Sequence, residues 1–312
     1  MNEQIRDVIM VGAGPSSLAA AVYTTRENID TVLYEKGAIG GLAAITDMVD
    51  NYPGFPDGIE GMTLAGQLEK QAKRFGAHIE FGDVSTIRDE GDIKVVMVDG
   101  NEVRAKTILI ATGSDYNKIG VPGEAEYYGR GVHYCATCDG AFYREKRLVV
   151  VGGGNSAVQE AIFLTRFASH IDLLVRSVIK ASDVLQRDLQ TLVDDGKITV
   201  HLQTVTEEII AVDGKVHSVK ATQDGKPVVI ETDGVFIFVG LKPNTQFLVG
   251  SGIELDGQGL VKTDNKLQTN IAGIFASGDV RSGATMQIAS AVGEGATAAL
   301  SIREYIDELK HA

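Results

Sequence analysis

The stretch Asp7-Val8-Ile9-Met10-Val11-Gly12-Ala13-Gly14-Pro15-Ser16-Ser17 decides the fold of this chain. Asp7 to Val11 is a short apolar run that reads as a buried parallel strand, and Leu18 to Arg26 reads as a helix. Between them, Gly12 allows a tight turn, and the missing side chain of Gly14 lets a pyrophosphate approach the amides at the helix N-terminus. Pro15 and Ser16 complete the turn, and Ser17 stands where the third glycine of a dinucleotide fingerprint is usual, small enough for helix and strand to pack closely. A second strand, Thr31 to Tyr34, ends in Glu35, about 20 residues after the turn, where a carboxylate accepts hydrogen bonds from ribose hydroxyls. The expected ligand here is a dinucleotide with an unphosphorylated adenosine ribose.

The arrangement recurs. Arg147 to Val151 is another apolar strand, Gly152-Gly153-Gly154-Asn155-Ser156-Ala157 another turn, Val158 to Phe167 another helix and Ile171 to Val175 another strand. The fold class is therefore α/β, with two dinucleotide-binding Rossmann-like domains. The second unit lacks the acid and reads Val175-Arg176-Ser177-Val178-Ile179-Lys180 instead. A cation suits a 2'-phosphate, so Arg176 and Lys180 point to NADPH over NADH; the plainer alternative is that both are solvated surface charges.

The segment from Ala38 to Asp115 contains Gly40-Gly41-Leu42, the turn-rich Asn51-Tyr52-Pro53-Gly54-Phe55-Pro56, and an amphipathic helix near Leu64 to Phe75. After the strand Thr107 to Ile110 comes Ala111-Thr112-Gly113, small residues where backbone can again approach a cofactor. Near the C-terminus a strand, Gly273 to Ala276, runs into Ser277-Gly278-Asp279, and a helix of small residues follows from about Gln287 to Tyr305. Asp279 reads equally as a cap or as an acceptor for a ribityl hydroxyl. With no low-complexity linker, short crossings are expected near residues 115 and 245.

The chain has 312 residues, enough for two domains, and its 44% apolar and 23% charged residues fit a globular protein. A net charge of -13 repels phosphate backbones, so nucleic acid is not an expected partner. No apolar run is long enough for a bilayer, and residues 1–7 lack the apolar segment of a secretory signal, so a cytoplasmic protein is expected. The only cysteines, Cys135 and Cys138, lie three apart just ahead of the second unit, which leaves redox chemistry or metal binding. His133 is a third ligand candidate for zinc, yet no second pair completes a tetrahedral site, so no metal is expected and redox use is favoured. Asp139 is placed to exchange the proton that thiol–disulfide chemistry requires; the other reading is a turn-forming aspartate before Gly140.

Taken in order, these motifs resemble the low-molecular-weight, bacterial and archaeal type of thioredoxin reductase over nearly the whole chain. The resemblance rests on Gly12-Ala13-Gly14-Pro15, Asn51-Tyr52-Pro53-Gly54, Ala111-Thr112-Gly113, Cys135-Ala136-Thr137-Cys138-Asp139-Gly140, Gly152 to Ala157, Gly240-Leu241-Lys242-Pro243-Asn244 and Gly278-Asp279. It implies an FAD domain made of residues 1–115 and 246–312, with an NADPH domain of residues 116–245 inserted, and a homodimer. It implies that Gly12, Gly14, Pro15, Ser16, Glu35, Lys36, Gly41, Leu42, Asn51, Ala111, Thr112, Gly113, Gly278, Asp279, Gln287 and Ile288 hold FAD. Gly152, Gly154, Asn155, Ser156, Arg176 and Lys180 would hold NADPH. Cys138 would face the flavin, Cys135 would attack the disulfide of thioredoxin, and Asp139 would serve as acid and base.

Two positions depart from the family. Val175-Arg176-Ser177 stands where it typically reads His-Arg-Arg, and Met286-Gln287 where Arg-Gln is common. Each lost charge-assisted contact costs about 1.5 to 3 kcal/mol, so a weak grip on NADPH is expected, with ferredoxin or another donor as the alternative. An NAD(P)H oxidase or ferredoxin reductase of related fold would share both glycine turns but have no use for the cysteine pair. A redox sensor without catalysis would have no use for two dinucleotide units.

Overall fold

Strand β1, Ile5–Val11, alternates between two cores: Val8 and Met10 join one hydrophobic cluster, Ile9 and Val11 another. A strand covered on both faces needs apolar residues at consecutive positions, which is why this run is not an alternating one. In the computed structural model, which describes residues 5–46 and 48–311, the chain continues through α1, Pro15–Arg26, β2, Thr31–Glu35, and α2, Gly61–Arg74. Strands β3, His78–Phe81, β4, Val84–Glu90, β5, Ile93–Val98, and β6, Asn101–Ile110, follow. The second unit, Tyr116–Leu241, opens with β7, Val132–His133, α3, Ala136–Asp139, β8, Arg147–Val151, and α4, Asn155–Leu164. It goes on with β9, His170–Leu174, α5, Asp183–Asp194, and β10, Ile198–His201. Three strands, β11, Thr204–Val212, β12, Lys215–Gln223, and β13, Lys226–Glu231, then precede β14, Gly234–Ile237. Lys242–Ala312 returns to the first unit and adds β15, Ile274–Ala276, and α6, Ile288–His311.

The first unit has a seven-stranded sheet in the order β3-β2-β1-β6-β5-β4, with β15 also paired to β6. Strands β1, β2, β6 and β15 are parallel, so their C-terminal ends, and the turns that follow them, share one edge. In the second unit a parallel sheet runs β7-β14-β8-β9-β10, and β11, β12 and β13 form an antiparallel meander. One face of this sheet packs with α4 and α5 around Leu148, Val150, Leu164 and Leu189. Its other face packs Val149 and Val151 with Val219 and Ile230 of the meander.

Both glycine-turn helices begin earlier than the apolar pattern predicts, at Pro15 and Asn155 in place of Leu18 and Val158. The reason is local: Gly14 and Gly154 are the extended N-caps, and the first helical turn needs no apolar residue. Proline suits its first position because that N–H has no helical partner. Helix α4 stops at Leu164, not Phe167, since the amide of Phe167 turns back to the Leu164 carbonyl at 3.0 Å. Helix α6 runs past Tyr305 to His311. The second crossing follows Leu241, not residue 245, because Asn244 donates its amide to the Gly113 carbonyl at 3.0 Å and Thr245 Oγ1 donates to Gly259 at 2.8 Å. Among the described residues no helix is long and apolar enough to cross a membrane.

One buried carboxylate ties β8, β9 and β10 together. Asp172 of β9, 5% exposed, accepts from His201 Nε2 at 2.8 Å and from Arg147 Nη2 at 3.0 Å. Burial pushes its carboxyl up, but the His201 hydrogen bond and the nearby charges of His170, His201 and Arg147 outweigh it and hold it below the usual range. A carboxyl lowered by folding contributes stability above its unfolded value, near 3.9, and loses it as the pH falls towards the folded one. Asp172→Asn is expected to cost about 1 to 3 kcal/mol at neutral pH, read by urea unfolding, with the difference from the native chain shrinking in acid. A pH-independent difference would contradict the ionic reading of this cluster.

Candidate active site

In the first unit the turns after β1, β2, β6 and β15 meet at the C-terminal edge of the parallel strands, where open α/β sheets bind ligands. Gly12 has φ +96, and a Cβ on it would sit 2.6 Å from the Ala111 carbonyl oxygen, so only glycine fits between the turns after β1 and β6. Next to it, a Cβ on Gly14 would meet nothing within 4 Å. No side chain caps the N-terminus of α1, and its first turn carries no acid. Shape and donors there fit a pyrophosphate.

Glu35, expected to meet a ribose, braces the backbone here: Oε2 accepts the Ala13 amide at 2.7 Å and Oε1 the Gly37 amide at 2.7 Å. A carboxylate has about four lone-pair sites, so acceptor capacity remains for a ribose. Lys36 beside it is exposed. The amide of Gly40 donates to the Ala13 carbonyl at 2.8 Å, which sets Gly41 beside Gly14. Ser16 Oγ lies 2.6 Å from Ser277 Oγ, joining the turns after β1 and β15. Asn51 and Gln287, far apart in sequence, meet through Nδ2 and Oε1 at 3.1 Å, while Leu42 and Ile288 are half-buried nearby in the chain's order. Thr112 Oγ1 donates to the Asn244 carbonyl at 2.7 Å, so that side chain is already engaged.

Sequence reasoning missed Glu294 of α6, which accepts the Gly278 amide at 2.8 Å and pairs with Arg281 at 2.5 Å. It sets the Gly278-Asp279 turn and repels the Asp279 carboxylate. Only the fold brings these positions together, and no local pattern marks them.

The second unit repeats the turn: a Cβ on Gly152 would meet Phe238 O at 2.4 Å, and the space beside Gly154 is open. Helix α4 likewise begins without a side-chain cap or an acid, and Ser156 is exposed there. The loop after β9 closes over it, with Lys180 N donating to Gly153 O at 2.7 Å and Ser182 N to Asn155 Oδ1 at 2.8 Å. The Asn155 side chain is thus spent on the loop. Arg176 and Lys180 are exposed, and among the described residues neither forms an ion pair.

Cys135 and Cys138 are joined by a disulfide, with Cα atoms 5.3 Å apart, and both are partly accessible. Cys135 is the extended N-cap of α3, and its Sγ accepts the Cys138 amide at 3.1 Å. A donor aimed at a sulfur stabilises the thiolate that reduction creates there. Asp139 ends the same turn, and its Oδ2 lies 3.1 Å from Nδ1 of buried His133. His133, considered from sequence only as a metal ligand, therefore faces Asp139, while its Nε2 lies 2.7 Å from the Tyr143 hydroxyl. Upstream, Tyr134 donates to buried Glu124 at 2.7 Å, and Glu124 also accepts the amides of Ile119 and Gly120.

Residues 6–295 match the family model described as "Pyridine nucleotide-disulphide oxidoreductase". The chain is 42% identical to a thioredoxin reductase of Bacillus subtilis (strain 168) over 99% of its own length and 97% of that protein's. It is 43% identical to a thioredoxin reductase of Listeria innocua, with the same coverage of each. It is similar to the crystal structure of thioredoxin reductase from Streptococcus pyogenes, with a TM-score of 0.93 and 38% identity over 98% of this chain and 100% of that one.

Asp279 offers a test of the crevice's electrostatics. Burial first, and then the charge of Glu294, push its carboxyl up to about 6. A carboxyl raised by folding makes the charged form costly, so its stability contribution is full at low pH and is lost as pH rises through about 6. In ligand-stripped protein, Asp279→Asn is expected to raise stability by about 1 to 3 kcal/mol near pH 8 and by little near pH 4, measured by thermal unfolding. An equal gain at both would show that ionisation is not its cause.

Proposed function

The chain belongs to the pyridine nucleotide-disulphide oxidoreductase family, and from that premise we propose that it is a flavin-dependent thioredoxin-disulfide reductase, with Cys135 and Cys138 as its redox pair. The observation that carries this reading is a partly accessible disulfide closed within one helical turn, with Asp139 directly after it in the chain. A purely structural disulfide three residues long would constrain almost no chain.

FAD, when bound, would supply two-electron transfer between the donor and a disulfide. In this reading Gly12, Gly14, Pro15 and Ser16 surround its pyrophosphate, and Glu35 and Lys36 lie at its adenosine. Gly41, Leu42, Asn51, Ala111, Thr112, Gly113, Gly278, Asp279, Gln287 and Ile288 line the rest. What the chain's own residues do is move a proton and exchange a bond. In the dithiol form, Asp139 takes a thiol proton; the Cys135 thiolate attacks one substrate sulfur and the other leaves as a thiolate. Cys138 then loses its thiol proton and attacks Cys135 Sγ, the ring disulfide re-forms, and the substrate sulfur bound to Cys135 leaves as a thiolate that takes up a proton. Thioredoxin, the substrate in the names of the relatives, is the partner.

NADPH is the donor in this reading, held by Gly152, Gly154, Asn155 and Ser156 at its phosphates and by Arg176 and Lys180 at its 2'-phosphate. The sparseness of cations in that loop supports a second reading, in which ferredoxin or another donor drives the same disulfide chemistry.

Replacing either Cys135 or Cys138 by Ser is expected to abolish reduction of a disulfide substrate and leave bound flavin absorbance unchanged. Disulfide reductase activity at the native rate in both variants would overturn the mechanism. For the donor, Ser177→Arg with Val175→His is expected to speed anaerobic flavin reduction by NADPH and leave that by NADH nearly unchanged, because only NADPH carries the extra phosphate. Rapid reduction of the native protein by micromolar NADPH would show that Arg176 and Lys180 suffice.

A further inference from the structure

His133 ends β7 and is 5% exposed. Its ring stacks on Phe236 of β14 with centroids 5.1 Å apart, so its two nitrogens point in the ring plane at polar neighbours on either side. Nδ1 is 3.1 Å from Asp139 Oδ2, and Nε2 is 2.7 Å from the Tyr143 hydroxyl. A neutral imidazole has one N–H and one lone pair, and an ionised carboxylate can only accept. Nδ1 must then carry the hydrogen, and Nε2 must accept from Tyr143. Tyr143 is able to donate, since burial first, and then the charges of Asp139 and Asp233, hold its hydroxyl protonated well above the usual range. The result is a directed series of donors: Tyr143 O–H to His133 Nε2, and His133 Nδ1–H to Asp139 Oδ2.

We propose that His133 is a positioning residue for Asp139, its tautomer set by Tyr143, an inference that rests on the disulfide-exchange reading above. By donating to Oδ2 whether or not the carboxyl is protonated, it reserves Oδ1 for the proton exchanged with a cysteine sulfur. When a thiol gives its proton to Oδ1, the sulfur becomes the attacking thiolate, and the Nδ1–H bond to Oδ2 is unchanged. When the ring disulfide is reduced, its bond breaks with two electrons and a sulfur takes the Oδ1 proton. The carboxylate left behind keeps the same donor, so neither direction requires the imidazole to change tautomer. The Nδ1–H bond to Oδ2 fixes the orientation of the carboxylate, so Oδ1 is held in place for the exchange. Other groups share this environment: Tyr128, whose hydroxyl is raised by burial and then by the Asp139 charge, and Asp233, which acts on Tyr143.

The test is the rate at which the dithiol form of the flavin-loaded enzyme exchanges with two disulfides, dithionitrobenzoate and thioredoxin, across the pH range. His133→Phe keeps a flat ring against Phe236 and removes both nitrogens. It is expected to lower the exchange rate with both disulfides roughly tenfold. His133→Asn, whose amide can donate to Oδ2, is expected to recover the rate to within about threefold on the same scale. In an Asp139→Asn background, His133→Phe is expected to change nothing further, because the coupling has lost its object. Circular dichroism and thermal unfolding of every variant report intact folding of both units. The proposal is overturned by an unchanged rate in His133→Phe, by equal losses in His133→Phe and His133→Asn, or by a loss that persists on Asp139→Asn. An enzyme that shows the His133 effects with dithionitrobenzoate but does not reduce thioredoxin would refute the proposed partner and leave this inference standing.

Discussion

A bond between sulfurs three residues apart closes only if the backbone doubles back within one helical turn, and the segment around Cys135 and Cys138 is arranged to hold that turn. Strand β7 enters it in parallel register with β14, Val132 beside Val235 and His133 beside Phe236. Tyr134 is anchored from below by Glu124. After the turn, Gly140 lies so close to α4 that a Cβ would meet Leu164 Cδ2 at 2.8 Å, which lets the cysteine turn rest directly on the helix of the second glycine unit. The rigid sheet thus fixes the place of the disulfide while both sulfurs stay partly accessible. Chemistry that makes and breaks a bond without moving the chain needs such a frame.

The two glycine turns show how the same backbone device is supported differently. Each has a glycine that no side chain could replace, an extended glycine cap and a helix N-terminus free of acids. In the first unit a carboxylate, Glu35, braces the turn through the Ala13 amide. In the second, the loop after β9 braces it through backbone and the Asn155 side chain. On a chain with a net charge of -13, both helices lack an acid in the first turn, which suits their N-termini to phosphates.

Much of this was legible in the sequence because it depends on local rules. Strand, glycine turn, helix and terminal acid follow one another within about 30 residues, and backbone constraint dictates residue type at each step. The apolar strands β1, β8 and β6 were readable for the same reason, as was the spacing of the cysteines. The starts of α1 and α4 were misplaced because the first turn of a helix at a phosphate site is held by backbone and not by an apolar stripe. What was not legible depends on contacts between distant segments. Glu294 reaches Gly278 from the next helix, Asn51 meets Gln287, and Asn244 bonds to the turn after β6. His133 was visible as a titratable residue near the cysteines, but its direction is set by stacking on Phe236, a residue about 100 positions away, where only the parallel pairing of β7 with β14 brings it.

A flavin and the Cys135–Cys138 disulfide give this chain two redox centres, each able to take an electron pair. An anaerobic titration of the purified flavoprotein with dithionite, followed by flavin bleaching and by thiol counting, tests this most directly. Uptake of twice the electrons the flavin alone accepts is expected, with two free thiols appearing per chain at the end point. Uptake that stops at the flavin's own complement, with the disulfide intact, would contradict it.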